Sequence, residues 1–175
     1  LFYQDISLEI TQKFSKKVKG IFTVQSLTYD NSIIHGAAFN EAPDPELIEE
    51  IIEEDEKIQA ITTIADITYK FTSKKSIRAE FQHLATKQNK GNWGMALVEF
   101  SIPHWFFVIS DQYNYGNEYE DLKIHYYNAA VVYNYNANRF QIGYGKQRAG
   151  VVCTGGVCRQ VPSANGLTIS ITSSF

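Results

Sequence analysis

The chain has 175 residues, with 16 Lys and Arg against 19 Asp and Glu and a formal net charge of -3. That length suffices for one domain with a core of its own, and the charge balance excludes the basic surplus that nucleic-acid binding requires. No run of about eighteen apolar residues occurs, which excludes a transmembrane helix, while 11 Tyr and 11 Phe beside a single Met are a strand-former's composition.

Taken in chain order, the pattern predicts nine strands, over residues 2–14, 18–29, 58–71, 76–87, 93–101, 104–113, 122–135, 139–152 and 165–175. Successive side chains on a strand point to opposite faces. In the first strand Ile6, Leu8, Ile10 and Phe14 oppose Asp5, Ser7, Glu9 and Lys13. The third sets Ile61, Ala65, Ile67, Tyr69 and Phe71 against Thr62, Asp66, Thr68 and Lys70, and the fourth sets Ile77, Ala79 and Phe81 against Arg78, Glu80 and Gln82. In the eighth, Phe140, Ile142 and Tyr144 oppose Arg139, Gln141 and Gly143. The sixth departs from the rule: Trp105-Phe-Phe-Val-Ile109 is apolar on both sides, as expected where a wall also packs on a plug or a partner. The last strand carries Leu167, Ile169, Ile171 and Phe175 on one face and Thr168, Ser170, Thr172 and Ser174 on the other.

Connections alternate in length. Short turns are expected at Ser15-Lys16-Lys17, Ser73-Lys74-Lys75, Pro103 and Asn136-Ala137-Asn138; longer polar loops are expected at 30–57, 88–92, 114–121 and 153–164. Strands of ten to fourteen residues with short turns on one side and long loops on the other are the pattern of outer-membrane barrels, short side periplasmic. Phe14, Tyr69, Phe71, Phe100, Trp105, Tyr133, Tyr135, Phe140 and Phe175 all fall beside the short turns, where rings would form a periplasmic aromatic belt at one membrane surface. The expected fold is therefore all-β, an antiparallel up-and-down transmembrane barrel spanning 1–175 as a single domain. Phe175 at the periplasm makes the ninth strand, and hence the first, run inward. Even-stranded barrels keep both termini periplasmic, so at least one further strand is expected before Leu1, and the chain reads as the C-terminal portion of a larger barrel. Its opening, Leu1-Phe2-Tyr3-Gln4, already has strand character, with neither an initiator Met nor a signal peptide.

The acidic loop 30–57, expected to be extracellular, contains its own helical signal. Asp44 is a good N-cap, Pro45 suits the first helical position, and Leu47, Ile48, Ile51 and Ile52 form one apolar stripe among glutamates. A short surface helix on the barrel mouth is expected; a partner-docking element or a divalent-cation site is the sharper reading of the same residues. Near the other end, Gly155-Gly156 suits a two-residue turn that sets Cys153 across from Cys158, within disulfide reach. These are the chain's 2 cysteines, and an exported hairpin pinned by a disulfide is expected. Lys146, Arg148 and Arg159 cluster near this hairpin, placed to meet lipopolysaccharide phosphates or to balance neighbouring acids. His35, His83, His104 and His125 scatter over both ends of the strands with no nucleophile motif, and Gly143-Tyr-Gly145 lies within a strand, away from any following helix. The sequence thus gives no catalytic, cofactor-binding or metal-binding residues.

Tyr144-Gly-Lys-Gln-Arg-Ala-Gly-Val-Val-Cys153, Gly-Gly-Val-Cys158-Arg-Gln-Val-Pro162 and Ser170-Ile-Thr-Ser-Ser-Phe175 resemble the C-terminus of a family of uncharacterised outer-membrane β-barrels of Bacteroidota, a domain of unknown function. The close similarity is confined to this C-terminal part. It implies the outer membrane of a Gram-negative bacterium and members longer than this chain, and it brings no activity with it.

The expected function is non-enzymatic and without cofactor: a conduit, or a structural subunit of an envelope complex. Asp5, Glu9, Lys13, Asp66, Lys70, Arg78, Glu80 and Arg139 would line its lumen. Its expected partners are the lipid bilayer and lipopolysaccharide, with other outer-membrane proteins or surface lipoproteins as further candidates and no nucleic acid. Three alternatives remain at this point: a soluble lipocalin-like ligand-binding domain, a barrel enzyme, and a barrel substrate caught during membrane insertion.

Overall fold

The computed structural model describes residues 3–30, 57–87, 91–154 and 157–173. Its strands are β1 (Tyr3–Lys13), β2 (Val18–Asp30), β3 (Lys57–Thr72), β4 (Lys75–Thr86), β5 (Trp93–Ile102), β6 (Trp105–Tyr113), β7 (His125–Tyr135), β8 (Asn138–Gln147), β9 (Gly150–Thr154), β10 (Val157–Val161) and β11 (Ala164–Ser173). β1 to β8 and β11 build one nine-stranded sheet in which each strand pairs with the next, and β9 and β10 form a separate hairpin. Every ladder is antiparallel. The protein is an all-β up-and-down sheet whose edge strands, among the described residues, are β1 and β11.

The nine predicted strands correspond to the nine of the main sheet, with two corrections. The seventh starts at His125 rather than 122, because Glu120–Leu122 turns as a 3-10 helix whose C-cap Lys123 donates its backbone N–H to the Glu120 carbonyl. The eighth ends at Gln147 rather than 152. Its ladder with β11 stops where Gln147 faces Ala164. Two residues before Ala164 stands Pro162, which has no N–H for a continued ladder and whose carbonyl instead accepts the Gln147 side-chain amide at 3.2 Å. Beyond this break Gly150–Thr154 becomes half of the separate hairpin. The helix expected around Leu47, Ile48, Ile51 and Ile52 lies outside the described residues, as does Phe175.

Register sorts the side chains into two faces, since directly opposed residues of an antiparallel pair point the same way. One row runs Ile67, Ala79, Val98, Ile109, Ala129, Tyr144, Leu167 across seven strands without a charge. The adjacent row on the opposite face runs Asp66, Glu80, Leu97, Ser110, Asn128, Gly145, Gly166. The apolar face is the exposed one. Ile6, Leu8, Ile10, Phe22, Phe81, Val98, Ile109, Ile142 and Ile169 all stand open on it, whereas Leu97, Val108, Ala130 and Val132, the last with 0% exposure, lie buried on the polar side. This inverts the usual one-sided sheet. Arg78 and Glu80 of β4 line the same cavity as Lys146 and Gln147 of β8, so the sheet curls toward its polar face.

All four short connections fall at one end because the strands alternate direction. At Pro103-His104 the proline fixes the first turn position and His104 takes the second at φ 68, as a type II turn demands. That histidine is held by backbone bonds to Asn134, whose N–H donates to the His104 carbonyl at 2.8 Å. At the opposite end two loops cross closely. The Gly116 N–H donates to the Asn92 carbonyl at 3.0 Å. A β-carbon on Gly116 would come within 2.1 Å of the Asn92 nitrogen, and one on Gly91, at φ +69, within 2.0 Å of the Gly116 carbonyl oxygen. Gly116→Val is therefore expected to part the loops and cost about 1–3 kcal/mol. Chemical unfolding gives the stability loss, and new proteolytic cleavage near residue 92 would report the opened crossing.

Candidate functional site

The exposed face ends, beside the short turns, in a chain of aromatic contacts. Tyr69 meets Phe71 with ring centroids 4.9 Å apart, and Phe71 meets Phe100 at 6.3 Å. Phe100 reaches Phe107 at 6.4 Å, Phe107 reaches Trp105 at 6.3 Å, Trp105 reaches Tyr133 at 4.6 Å and Tyr133 reaches Tyr135 at 6.4 Å. These rings come from β3, β5, β6 and β7 and lie at centroid separations typical of aromatic pairs. Sequence reasoning grouped all of them except Phe107, which was hidden in the doubly apolar run of β6; its pairing with Phe100 is visible only in the register. Phe14 and Phe140 stand exposed at the same end, without a ring contact among the described residues. Phe14 lies over Gly20, where a β-carbon would come within 2.8 Å of its ring. Leu167, Ile169 and Ile171 of β11 are exposed on the same face.

The polar face is knit together by charge. Asp66 and Glu80 oppose each other directly across β3 and β4, an arrangement that alone is repulsive. Arg78 resolves it by donating to Asp66 through Nε and to Glu80 through its terminal nitrogen, and the Gln82 amide donates to the other Glu80 oxygen. Glu80 is buried. Farther toward the long loops a cavity of about 340 Å³ is lined by Arg78, Glu80, Gln82, Gln112, Tyr126, Asn128, Lys146 and Arg148. The Lys146 ammonium lies 5.7 Å from the Tyr126 ring centroid and the Arg148 guanidinium 4.6 Å from that of Trp93, a weakly favourable use of both cations. Both residues line this inner cavity; the side chain of Arg159 lies outside the described residues.

Among the histidines, His125 donates its Nδ1–H to the Asp111 carboxylate at 2.7 Å and stacks on Tyr113 at 4.0 Å. A carboxylate-oriented imidazole could serve as a base. Its register neighbour is Tyr113, Asp111 is flanked by Tyr127 and Ala96, and no described serine, threonine or cysteine hydrogen-bonds to it. His83 bonds to the Tyr115 hydroxyl, and His104 sits in a short turn; His35 lies outside the described residues. Among the described residues no group of three or more His, Cys, Asp or Glu could hold a metal ion. In the hairpin, backbone register sets Cys158 opposite Cys153, as the Gly155-Gly156 turn predicts.

An antiparallel sheet with an open apolar face, a ring-bordered end and a charge-knit inner face defines a class of two-faced β wall. Within that class the chain belongs to a family of proteins of unknown function, DUF6029, whose sequence model matches residues 1–175. The match covers the whole chain and not its C-terminal part alone. No curated protein and no solved structure matches it.

Proposed function

We propose that the chain is part of the wall of a transmembrane β-barrel in the outer membrane of a Gram-negative bacterium of the Bacteroidota, serving as a non-enzymatic structural subunit of an envelope complex. The supporting observation is the exposed face itself, predominantly apolar across nine strands, with the Asp111–His125 pair toward its long-loop end, and bordered by a chain of touching rings. Lipid offers such a face its solvent, and the interface offers the rings a place. A soluble lipocalin-like domain would instead bury those side chains. Strands of 9 to 16 residues are long enough to cross a bilayer at a barrel's tilt. Nine strands leave β1 and β11 running parallel, so an all-antiparallel closure takes an odd number of further strands.

The structural role is favoured over a conduit by the inner face of β5 to β7. Leu97, Val108, Ala130 and Val132 are buried there, whereas a water-filled channel is lined by polar side chains. The protein is expected to remain electrically silent in planar bilayers and to co-purify with envelope partners; steady single-channel conductance would favour the conduit. The lipid-facing reading is tested by extraction. A species that needs detergent and migrates differently before and after boiling supports it, and a water-soluble monomer would end it. The hairpin cysteines are proposed to form a disulfide: no alkylation by iodoacetamide before reduction and two adducts after it are expected by intact mass.

A further inference from the structure

The short-turn end of the sheet carries Lys13, Lys16, Lys17, Lys19, Lys70, Lys74 and Lys75, all exposed, and residues 13–20 and 68–76 contain no Asp or Glu. A chain of net charge -3 has thus concentrated seven of its cations at one rim. None of the seven forms an ion pair with a described residue. Lys13 and Lys19 moreover face each other directly across β1 and β2, a like-charge juxtaposition that destabilises a ladder unless an anion joins it.

We propose that this rim is a docking surface for an acidic polypeptide segment. The placement of the lysines argues for a polypeptide rather than anionic lipid headgroups. Lys13, Lys19 and Lys70 share the polar face with Asp66, while at the same level the opposite face presents Tyr69 and Phe71. Lys16, Lys17 and Lys74 lie on the turn tips, and Lys75 opens β4. A ligand touching both sets approaches along the axis of the curled sheet, not from the plane of the bilayer. Clustered uncompensated charge of one sign also raises the encounter rate with an oppositely charged partner. The choice between polypeptide and lipid rests on the membrane reading; the basic surface does not.

The test uses full-length chain in nanodiscs of phosphatidylcholine, titrated into fluorescent poly-L-glutamate and read by anisotropy. Binding is expected, weakening as salt rises from about 50 to about 300 mM, and falling about tenfold or more in K13Q/K19Q/K70Q. K123Q/K146Q/R148Q, which removes the same charge from the other end, should change it less than twofold. Absence of binding, or equal loss in both triple variants, overturns the proposal. Nanodiscs containing about 30% phosphatidylglycerol supply the other arm: unchanged binding supports a polypeptide ligand, while its abolition assigns the lysines to lipid and overturns it. Should the protein be water-soluble, the same titration in plain buffer still reads the rim, so failure of the membrane reading is distinguishable from failure of this one.

Discussion

Ile109→Arg should be among the most damaging single substitutions in the protein, although it alters one of the most exposed side chains. Ile109 is 68% exposed, and a charge placed at such a position on a soluble domain normally changes stability by less than about 0.5 kcal/mol. Ile109 sits midway along β6, between the Trp105 end with its rings and the Tyr113 end at the long loops. Its cross-strand neighbours are Val98 and Ala129. In a bilayer an arginine at mid-depth on the lipid face costs about 2–4 kcal/mol. The expected result is poor assembly and a fall of that size in folding free energy, measured by reversible denaturant unfolding into lipid vesicles. Tyr119→Arg, in a long loop and 66% exposed, should be near neutral and controls for general effects of charge. Equal tolerance of both would sink the lipid-facing assignment.

The second large effect is expected on the opposite face. Arg78→Leu leaves Asp66 and Glu80 opposed without their bridge. Removing one member of a buried charge network costs about 3–5 kcal/mol; because the Arg78 side chain is 35% exposed, water tempers this to about 2–3 kcal/mol. Neutralising the acids as well, in D66N/R78L/E80Q, should recover most of the loss, since the charges are then absent rather than uncompensated. Urea or guanidinium unfolding of the four proteins closes the comparison. If the triple variant is no better than Arg78→Leu, the arginine's contribution is its packing and not its charge.

Both predictions grow from alternation that the sequence displays openly. Where a strand alternates strictly, as in Ile77 to Gln82, period-two reading assigns faces correctly, because a pleated strand leaves each side chain only two directions. It fails where another constraint ends the ladder. Pro162 stops β8 at Gln147 from across the sheet, and its influence on residues 148–152 depends on a register that spans a hairpin. The ring chain was legible as a set of aromatics near turns, yet Phe107 required knowing that β5 and β6 meet through a two-residue turn. The basic rim was equally concealed. Lys13, Lys19 and Lys70 belong to three strands, and their shared face is a product of two ladders rather than of any local pattern.

The odd number of strands also limits how copies of this protein can meet. In the membrane setting proposed above, identical molecules would share a single up–down sense, so β1 and β11 of every copy would run the same way. Laying any edge of one copy against any edge of another therefore produces a parallel seam, whichever edges are chosen. Self-association cannot extend the antiparallel ladder. Under the proposed barrel, a closing strand of opposite direction would come from elsewhere in the polypeptide or from a different protein, so the sheet would discriminate against its own kind.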